Sequence, residues 1–520
     1  MQLAAGSAPD PWYYVKNFQT MLDTLRQRDG DLLAADELSF MDGFLRLPPQ
    51  ARALLVRMVM RKGPLFRASR LVYPEIGATA EAVAPLVALG WVDARPTLTL
   101  DELFRLMTKR ALVDHLGLAH QKAALPKARL LEELRETLPG ARAFDQWCDA
   151  TDTVYRLELG ALCTRLTLLF FGNFRQDLTE FILADLGIFK FETIDLRPES
   201  RPFRTRRQVE EFHQLHHCRD LLHEGADPGE ILRALPPVNE DCEWLQDRRE
   251  KLRFQIGRAL ERAGAVQEAT EIYSNCAYRE AGVRARRLLA KPGGGSRRGG
   301  QDAPSAPEFR LVLADPRDGR SVERLVLEAL TAAEPGETQV HYVENGLINS
   351  LFGLLCWPAI FAPVPGAFFH PFHHAPADIA STRFYERRER EFSRCLAELR
   401  CGAYKDTMRR RLAEKLGISS PFVAWGLVDE TLLETALQCF PAEHLARWFD
   451  WIARDVTANR SGFPDLVQFW PHSARYRLVE VKGPGDRLQE SQRRFLDFCL
   501  REAMPVSVCR VRWAGMGASA

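Results

Sequence analysis

Residues 461–492 read SGFPDLVQFWPHSARYRLVEVKGPGDRLQESQ, and they decide how the C-terminal part of the chain folds. Two apolar runs, DLVQFW and YRLVEVKG, flank a short PHSAR segment. The first is apolar and aromatic after its proline and reads as a buried strand; the second alternates. A connection this short joins antiparallel neighbours, which places the start of one strand beside the end of the next. Asp465 therefore lies near Glu480. Glu480 and Lys482, two residues apart, share one face of their strand, and Val481 takes the other. Two carboxylates side by side repel and desolvate one another. A hard divalent cation relieves this, and oxygen ligands point to Mg2+ or Mn2+. Such an ion activates water and stabilises charge growing at a phosphorus centre. Lys482 is then placed to orient or deprotonate the water, or to steady the transition state. The bland alternative is a surface hairpin where Asp, Glu and Lys meet by chance.

The flanking sequence extends this reading. Gly483, Pro484 and Gly485 make a tight turn, and Gln489 and Gln492 open an amphipathic helix, SQRRFLDFCLREA. Gln492 is thereby a candidate to hold the attacking water or a phosphate. Upstream, FRLVLA reads as a strand and residues 321–332 as a helix. HYVENGLINSLFGLLCWPAIF is expected to begin as a further helix and to stop at Pro358. Glu344 borders its apolar stripe of Leu347, Ile348, Leu351, Phe352 and Leu355, as either a surface residue or a third metal carboxylate. VSVCRVRW follows as a closing strand. Residues 308–520 thus form an α/β domain.

The 520 residues have room for about three to four domains. The formal net charge of +1 announces no nucleic-acid partner, so local patches must carry that case. The eleven cysteines form no CxxC pair, which fits reduced thiols. No signal peptide or membrane span is apparent, and a cytoplasmic location is the default. Residues 1–75 read as amphipathic helices with a basic end. Arg57, Arg61, Lys62, Arg67 and Arg70 interleave there with Phe66 and Tyr73, as a solvated helix face or as a grip on a phosphate backbone. Residues 76–137 hold two apolar-striped helices around a turn at Gly117. Lys109, Arg110, Lys122, Lys127 and Arg129 lie near the helix starts and the turn, where free N–H groups already favour phosphate. Residues 138–290 read as almost wholly helical. Within them QIGRALERAGAVQEATEIYSNC has the spacing of one tetratricopeptide repeat, carried by Gly257, Gly264, Ala269, Tyr273 and Cys276. One repeat cannot bury its own face, so neighbouring helices must complete the stack. Residues 291–307 are a basic Gly/Pro-rich linker that includes Arg297 and Arg298.

Several of these stretches carry a resemblance. HYVENGLINSLFGLLCWPAIF, ANRSGFPDLVQFW and LVEVKGPGDRLQESQ resemble a VRR-NUC domain of the PD-(D/E)xK nuclease superfamily. The 76–137 segment resembles a SAP module. FFGNFRQDLTEFILADLG resembles the central helical region of the Fanconi-associated nucleases, and nearly the whole chain is similar to the bacterial form of that family. The resemblance implies Glu344, Asp465, Glu480 and Lys482 as the catalytic set, with the Val481 carbonyl as a backbone metal ligand and two Mg2+ or Mn2+ ions. Arg460 and Arg487, beside these motifs, are expected to meet the scissile or a neighbouring phosphate. The implied activity is 5′-flap endonuclease with 5′-to-3′ exonuclease action on branched double-stranded DNA, in repair of interstrand crosslinks, by a cytoplasmic bacterial protein that joins the nucleoid when acting. One departure is that no cysteine precedes residue 140, so the ubiquitin-binding zinc finger of the animal enzyme has no counterpart there and ubiquitin is not an expected partner. His213, His216, His217 and Cys218 suggest zinc, but no second pair has matching spacing and a helix face is the simpler reading. Two rival functions stand beside the nuclease: a non-catalytic DNA-binding scaffold, and a resolvase of four-way junctions, which would act as a symmetric dimer.

Overall fold

The computed structural model describes residues 11–116, 118, 125–148, 152–196, 200–237, 242–278, 280–289, 306–314 and 319–514. It divides into two compact units. One is Met1–Leu186 with Arg201–Val209, and the other Gly187–Ser200 with Glu210–Ala520.

In the first unit the long amphipathic run splits into helices Ala35–Arg46 and Pro49–Val59. The break is at Pro48, and Pro49 opens the second helix, where a missing N–H costs nothing. Phe18, Phe40 and Phe44 form an aromatic core with edge and tilted contacts. Residues after 138 are less helical than their sequence suggests. Val154–Leu157 is the central strand of a three-stranded antiparallel sheet, between Leu65–Arg67 and Val92–Asp93. Val154, Tyr155 and Leu157 are buried there, so tertiary pairing decides the conformation. Among its described residues the SAP-like segment shows three helices where two were expected: Leu100–Leu106, Lys109–His115 and Lys127–Thr137. Thr108 accepts a hydrogen bond from the Ala111 N–H and starts a new helix inside the apolar run. Gly117 and Lys122 lie outside the described residues.

In the second unit, helices Glu243–Arg262, Val266–Ser274 and Ala281–Leu289 follow one another. A Cβ on Gly257 would stand 2.7 Å from Tyr273 Cε1, so the ring occupies the space a side chain would need. Most of the linker, including Arg297 and Arg298, is outside the described residues.

The α/β part comprises β1 (Glu308–Leu313), α1 (Val322–Ala333), β2 (Gln339–Tyr342), α2 (Leu347–Leu355), α3 (Trp357–Ile360), α4 (Glu389–Cys401), α5 (Tyr404–Glu414), α6 (Glu430–Cys439), α7 (Ala442–Arg454), β3 (Leu466–Trp470), β4 (Arg475–Lys482), α8 (Glu490–Arg501) and β5 (Val506–Trp513). The strands form one sheet in the order β1-β5-β4-β3-β2. β5 runs parallel to β1 and β4, while β3 is antiparallel to both β4 and β2. β5 closes the chain, but it sits inside the sheet, because helix α8 returns it as a parallel crossover. One sheet face packs Leu466, Val479, Val481, Cys509 and Val511 on Val326 and Leu330 of α1. The other packs Val467, Phe469, Leu478 and Val508 on a large helical core that includes Phe352, Trp448, Phe449 and Phe495.

His341 and Tyr342 end a strand, where a helix was expected. Alternation buries Val340 against the sheet, and β2 pairs with β3 from Tyr342↔Leu466 to Gln339↔Phe469. The helix begins only at Leu347 and ends at Leu355, and Pro358 lies in the first turn of the separate helix α3. Residues 187–196 run along the α/β domain. Glu192 Oε2 accepts from Trp357 Nε1 and Lys415 Nζ, each at 2.7 Å, and Ile194 and Leu196 join the helical core. Among the described residues, no helix is long and apolar enough to cross a membrane.

Candidate active site

The hairpin register Leu466↔Val479 sets Asp465 opposite Glu480. Asp465 Oδ2 accepts the Val481 N–H at 2.8 Å, and its backbone carbonyl accepts the Val343 N–H, also at 2.8 Å. The second bond extends the β2–β3 pairing by one residue and carries the end of β2 to the same edge. There Gly346 N–H closes a turn onto the Val343 carbonyl at 2.8 Å, and Glu344 projects from it. Pairing in two directions from β3 thus gathers three carboxylates from segments far apart in sequence.

Their environments differ. Glu480 is wholly buried and Asp465 nearly so, at 7% exposure. Lys482 Nζ lies 2.6 Å from Glu480 Oε1. This pairs Oε1 with the ammonium, while Oε2 stays buried without a hydrogen-bond partner. Burial is the main force raising both carboxyls, against the opposing pull of Lys482. Asp465 is pushed up to about 6 and Glu480 to about 7, the latter helped by the charge of Asp465. Glu344 is exposed and accepts the Tyr342 hydroxyl, yet its charge raises both partners. Val481 places its side chain in the apolar core against α1, so only its backbone borders the site.

The structure adds a fourth carboxylate. Glu323, in the first turn of α1, contributes its charge to Asp465 and to Tyr342. Gly483 neighbours that helix: a Cβ there would make an ordinary contact with Val322 at 3.6 Å. In the sequence an acidic residue after Ser321 reads as ordinary helix capping, and nothing ties it to a strand end 142 residues on.

Gln492 is engaged locally. Its Oε1 accepts the Gln489 N–H at 2.9 Å, which caps α8. Arg460 and Arg487 are exposed beside the site. Arg460 lies on a loop squeezed against α8, where a Cβ on Gly462 would come within 2.5 Å of Ser491 backbone. The basic N-terminal residues divide. Arg57 binds Glu75 at 2.7 Å and lies over Tyr14 and Tyr73, and Arg67 binds Asp152 at 2.8 Å. Lys127 Nζ caps a helix by donating to the Met107 carbonyl at 2.7 Å. Arg61 donates to the Arg70 carbonyl at 3.1 Å but remains exposed, as does Lys62. Lys109 is half-buried at a helix start; Arg110 is almost fully exposed, with only a loose 4.0 Å ion pair to Asp114. His216 is tied to Asp220 at 2.8 Å within the helix Arg206–Glu224.

Among the described residues, no three acidic, histidine or cysteine side chains already enclose an ion-sized space. The donor set nevertheless fits one. Converging carboxylate oxygens, among them the buried and unpartnered Glu480 Oε2, are hard donors of the kind a divalent cation takes.

The chain was compared with known proteins on this footing. Family models match over residues 12–93 (FAN1, HTH domain), 97–147 (Fanconi anemia-associated nuclease SAP domain) and 400–513 (VRR-NUC domain). The Fanconi-associated nuclease 1 homolog of Pseudomonas aeruginosa is 46% identical, over 97% of this chain and 96% of its own. The chain belongs to the Fanconi-associated nuclease family. As a member of that family it is a metal-dependent DNA nuclease. The Arabidopsis thaliana homolog is 24% identical across 98% of this chain and 68% of its own. Crystal structures of paFAN1 bound to 5′-flap DNA with a gap superpose over 98% and 97% of this chain and all of their own, at 45% identity, with TM-scores of 0.92 and 0.89 for 2-nt and 1-nt flaps. The VRR-NUC match contains Asp465, Glu480 and Lys482; Glu323 and Glu344 precede it.

Proposed function

We propose that the protein is a structure-specific nuclease that cuts duplex DNA at 5′ flaps, trims in the 5′-to-3′ sense and serves interstrand crosslink repair. The observation that carries this reading is Glu480. A wholly buried carboxylate, paired through Oε1 with Lys482 at 2.6 Å, facing Asp465 and with Oε2 left unpartnered, is an arrangement that marks a functional site. The flap preference is supported by the likeness to paFAN1 with 5′-flap DNA along nearly the whole chain.

Asp465, Glu480, Glu344 and the Val481 carbonyl would hold the cation, with Glu323 adding its charge nearby. Four carboxylates exceed the needs of one Mg2+ that keeps its waters, which favours two ions, Mg2+ or Mn2+. When bound, they supply Lewis-acid polarisation of the phosphate and lower the pKa of water. Lys482 holds the attacking water in line and stabilises negative charge at the phosphorus centre. Arg460 and Arg487 hold neighbouring phosphates. Gln492 acts by keeping α8 capped against the 460–463 loop. Arg61, Lys62 and Arg110, which are exposed, and the half-buried Lys109 are proposed to grip duplex upstream. The 243–289 helices supply a tetratricopeptide-like stack. The domain limits at 75, 137, 290 and 307 are retained as working boundaries.

Single-turnover cleavage of labelled 5′-flap, 3′-flap, nicked and four-way-junction DNA tests the reading. Strong preference for the 5′ flap is expected. Paired symmetric cuts on the junction would favour the resolvase, and no cleavage in Mg2+ or Mn2+ would favour the scaffold.

A further inference from the structure

The carboxylates above are drawn from three chain segments, and one residue touches two of them. Asn345 follows Glu344 directly. Its φ is 48°, the left-handed region that suits the third position of a turn such as the one closed by Gly346 on Val343. Asn is among the few side-chain-bearing residues that occupy this region readily. Its side chain does more than tolerate the turn. Oδ1 accepts two backbone N–H groups, from Gly462 at 2.9 Å and Phe463 at 3.1 Å. Both donors are buried, and Asp465 comes two residues later. Nδ2 lies 3.5 Å from Glu344 Oε1, at the limit of a hydrogen bond. Asn349, one turn along α2, completes the tie by donating to the Asn345 carbonyl at 2.7 Å and to the Arg460 carbonyl at 2.8 Å. The 460–463 loop is pressed from the other side by α8, against which only Gly462, at φ 92°, fits. Among the described residues, Asn345 and Asn349 are the side chains that tie this loop to the Glu344 turn by hydrogen bonds, and Asn345 makes the contacts nearest Asp465.

We infer that Asn345 is a positioning residue for the nuclease centre, setting the spacing between Glu344 and Asp465 by clamping the loop that leads into Asp465. This rests on the proposed roles of those carboxylates. A carboxylate pair that shares cations is sensitive to spacing, and a misplacement of about 1 Å costs on the order of 10²-fold in rate. Residues that orient metal ligands act at a similar scale, about 10- to 100-fold in metal affinity.

Three variants of the full chain separate this role from a plain turn. Asn345→Gly keeps the left-handed backbone and removes the clamp. Asn345→Asp keeps an acceptor for both N–H groups and adds a negative charge facing Glu344. Asp465→Ala reports on the underlying assignment. The readouts are Mn2+ affinity by paramagnetic resonance of free Mn2+, single-turnover flap cleavage across pH, and the KM-against-kcat split for DNA. Asn345→Gly is expected to lower kcat and Mn2+ affinity about 10- to 100-fold with KM for DNA unchanged. Asn345→Asp is expected to recover most of the rate at high pH while moving the acid limb of the profile upward, because another anion opposes ionisation of the site. Wild-type kcat and Mn2+ affinity in Asn345→Gly would overturn the inference, as would an Asn345→Asp variant no better than Asn345→Gly at any pH. Robust cleavage by Asp465→Ala would instead overturn the assignment of the centre itself.

Discussion

Two groups of charged residues stand out in this chain, and the structure treats them in opposite ways. The carboxylates at the end of β3 and β4 are buried with their electrostatic demand unmet. Glu480 has Lys482 at Oε1 but no partner at Oε2, and both it and Asp465 are raised toward neutrality. The arginines of residues 57–70 are partly satisfied inside their own unit. Arg57 lies 4.0 Å from the Tyr14 ring centroid and 4.9 Å from that of Tyr73 while paired with Glu75, and Arg67 is paired with Asp152. In sequence the basic run is the longer signal, and the catalytic set of Asp465, Glu480 and Lys482 is three letters in eighteen. Residue type says which chemistry is available; an unmet partner says where it is used.

The sharpest way to break this contrast is at the carboxylates. Asp465→Ala and Glu480→Ala should each abolish cleavage while leaving DNA affinity within a few-fold, because each removes a metal ligand and no phosphate contact. Retention of more than about a tenth of wild-type cleavage in Mg2+ would remove that residue from the centre. Lys482→Ala comes next. Loss of one electrostatic partner of the transition state should lower the single-turnover rate by roughly 10²-fold or more, with binding nearly intact. A change seen only in the dissociation constant would place Lys482 outside the chemistry.

How much of this was legible in the sequence depends on range. The β3–β4 hairpin is local, its period-2 pattern is clean, and Asp465, Glu480 and Lys482 follow from register alone. The β2 strand was missed because HYVEN abuts a strongly apolar helix, and the helical pattern absorbs His341 and Tyr342, which only pairing with β3, more than 120 residues on, makes extended. Val154–Leu157 was missed for the same reason, since its partners lie at 65–67 and 92–93. Glu323 left no local sign, as an acidic first turn is what any capped helix shows. The satisfaction of Arg57 was equally hidden, because it depends on Tyr14 and Glu75 meeting in space.

A third test uses linkage. Ionising buried carboxyls that prefer their protons costs folding free energy. Below the unfolded values near 4 both states are protonated and the site is neutral in stability. Between about 4 and the folded values of about 6 and 7 the unfolded state has given up these protons while the folded state keeps them, so stability falls across that window and levels off above it. The metal-free protein should therefore melt at lower temperature at pH 8 than at pH 5.5 because of this site. Asp465→Asn should reduce that loss, and Mn2+ should reverse it in wild type. Calorimetry in chelator compares the two proteins, and identical pH trends would show that the raised carboxyls are not a stability burden. The same values place the acid limb of cleavage near neutrality at subsaturating metal, moving to lower pH as metal is added.

The smallest effects belong to the basic side of the comparison, and they separate two kinds of arginine. Arg57→Ala removes a stacked, ion-paired group and leaves Glu75 at 13% exposure without its partner. It should destabilise its unit by about 1 to 3 kcal/mol and change DNA affinity little. Reversal of Arg61, Lys62, Lys109 and Arg110 to Glu should do the opposite. These side chains are more accessible, and their ties are a single carbonyl bond for Arg61 and a loose pair for Arg110. Folding should be nearly unchanged, while binding weakens at moderate salt. If the four meet phosphates, fewer counterions are released on binding, and the slope of log affinity against log salt flattens by roughly one for each phosphate no longer neutralised. The measurement is a salt titration of flap affinity for wild type, Arg57→Ala and the four-fold reversal. A flattened slope in Arg57→Ala would make its ion pair with Glu75 a resting state that DNA displaces. An unchanged slope in the four-fold variant would reduce those cations to solvation and leave Arg460 and Arg487, beside the carboxylates, as the cations that hold phosphate.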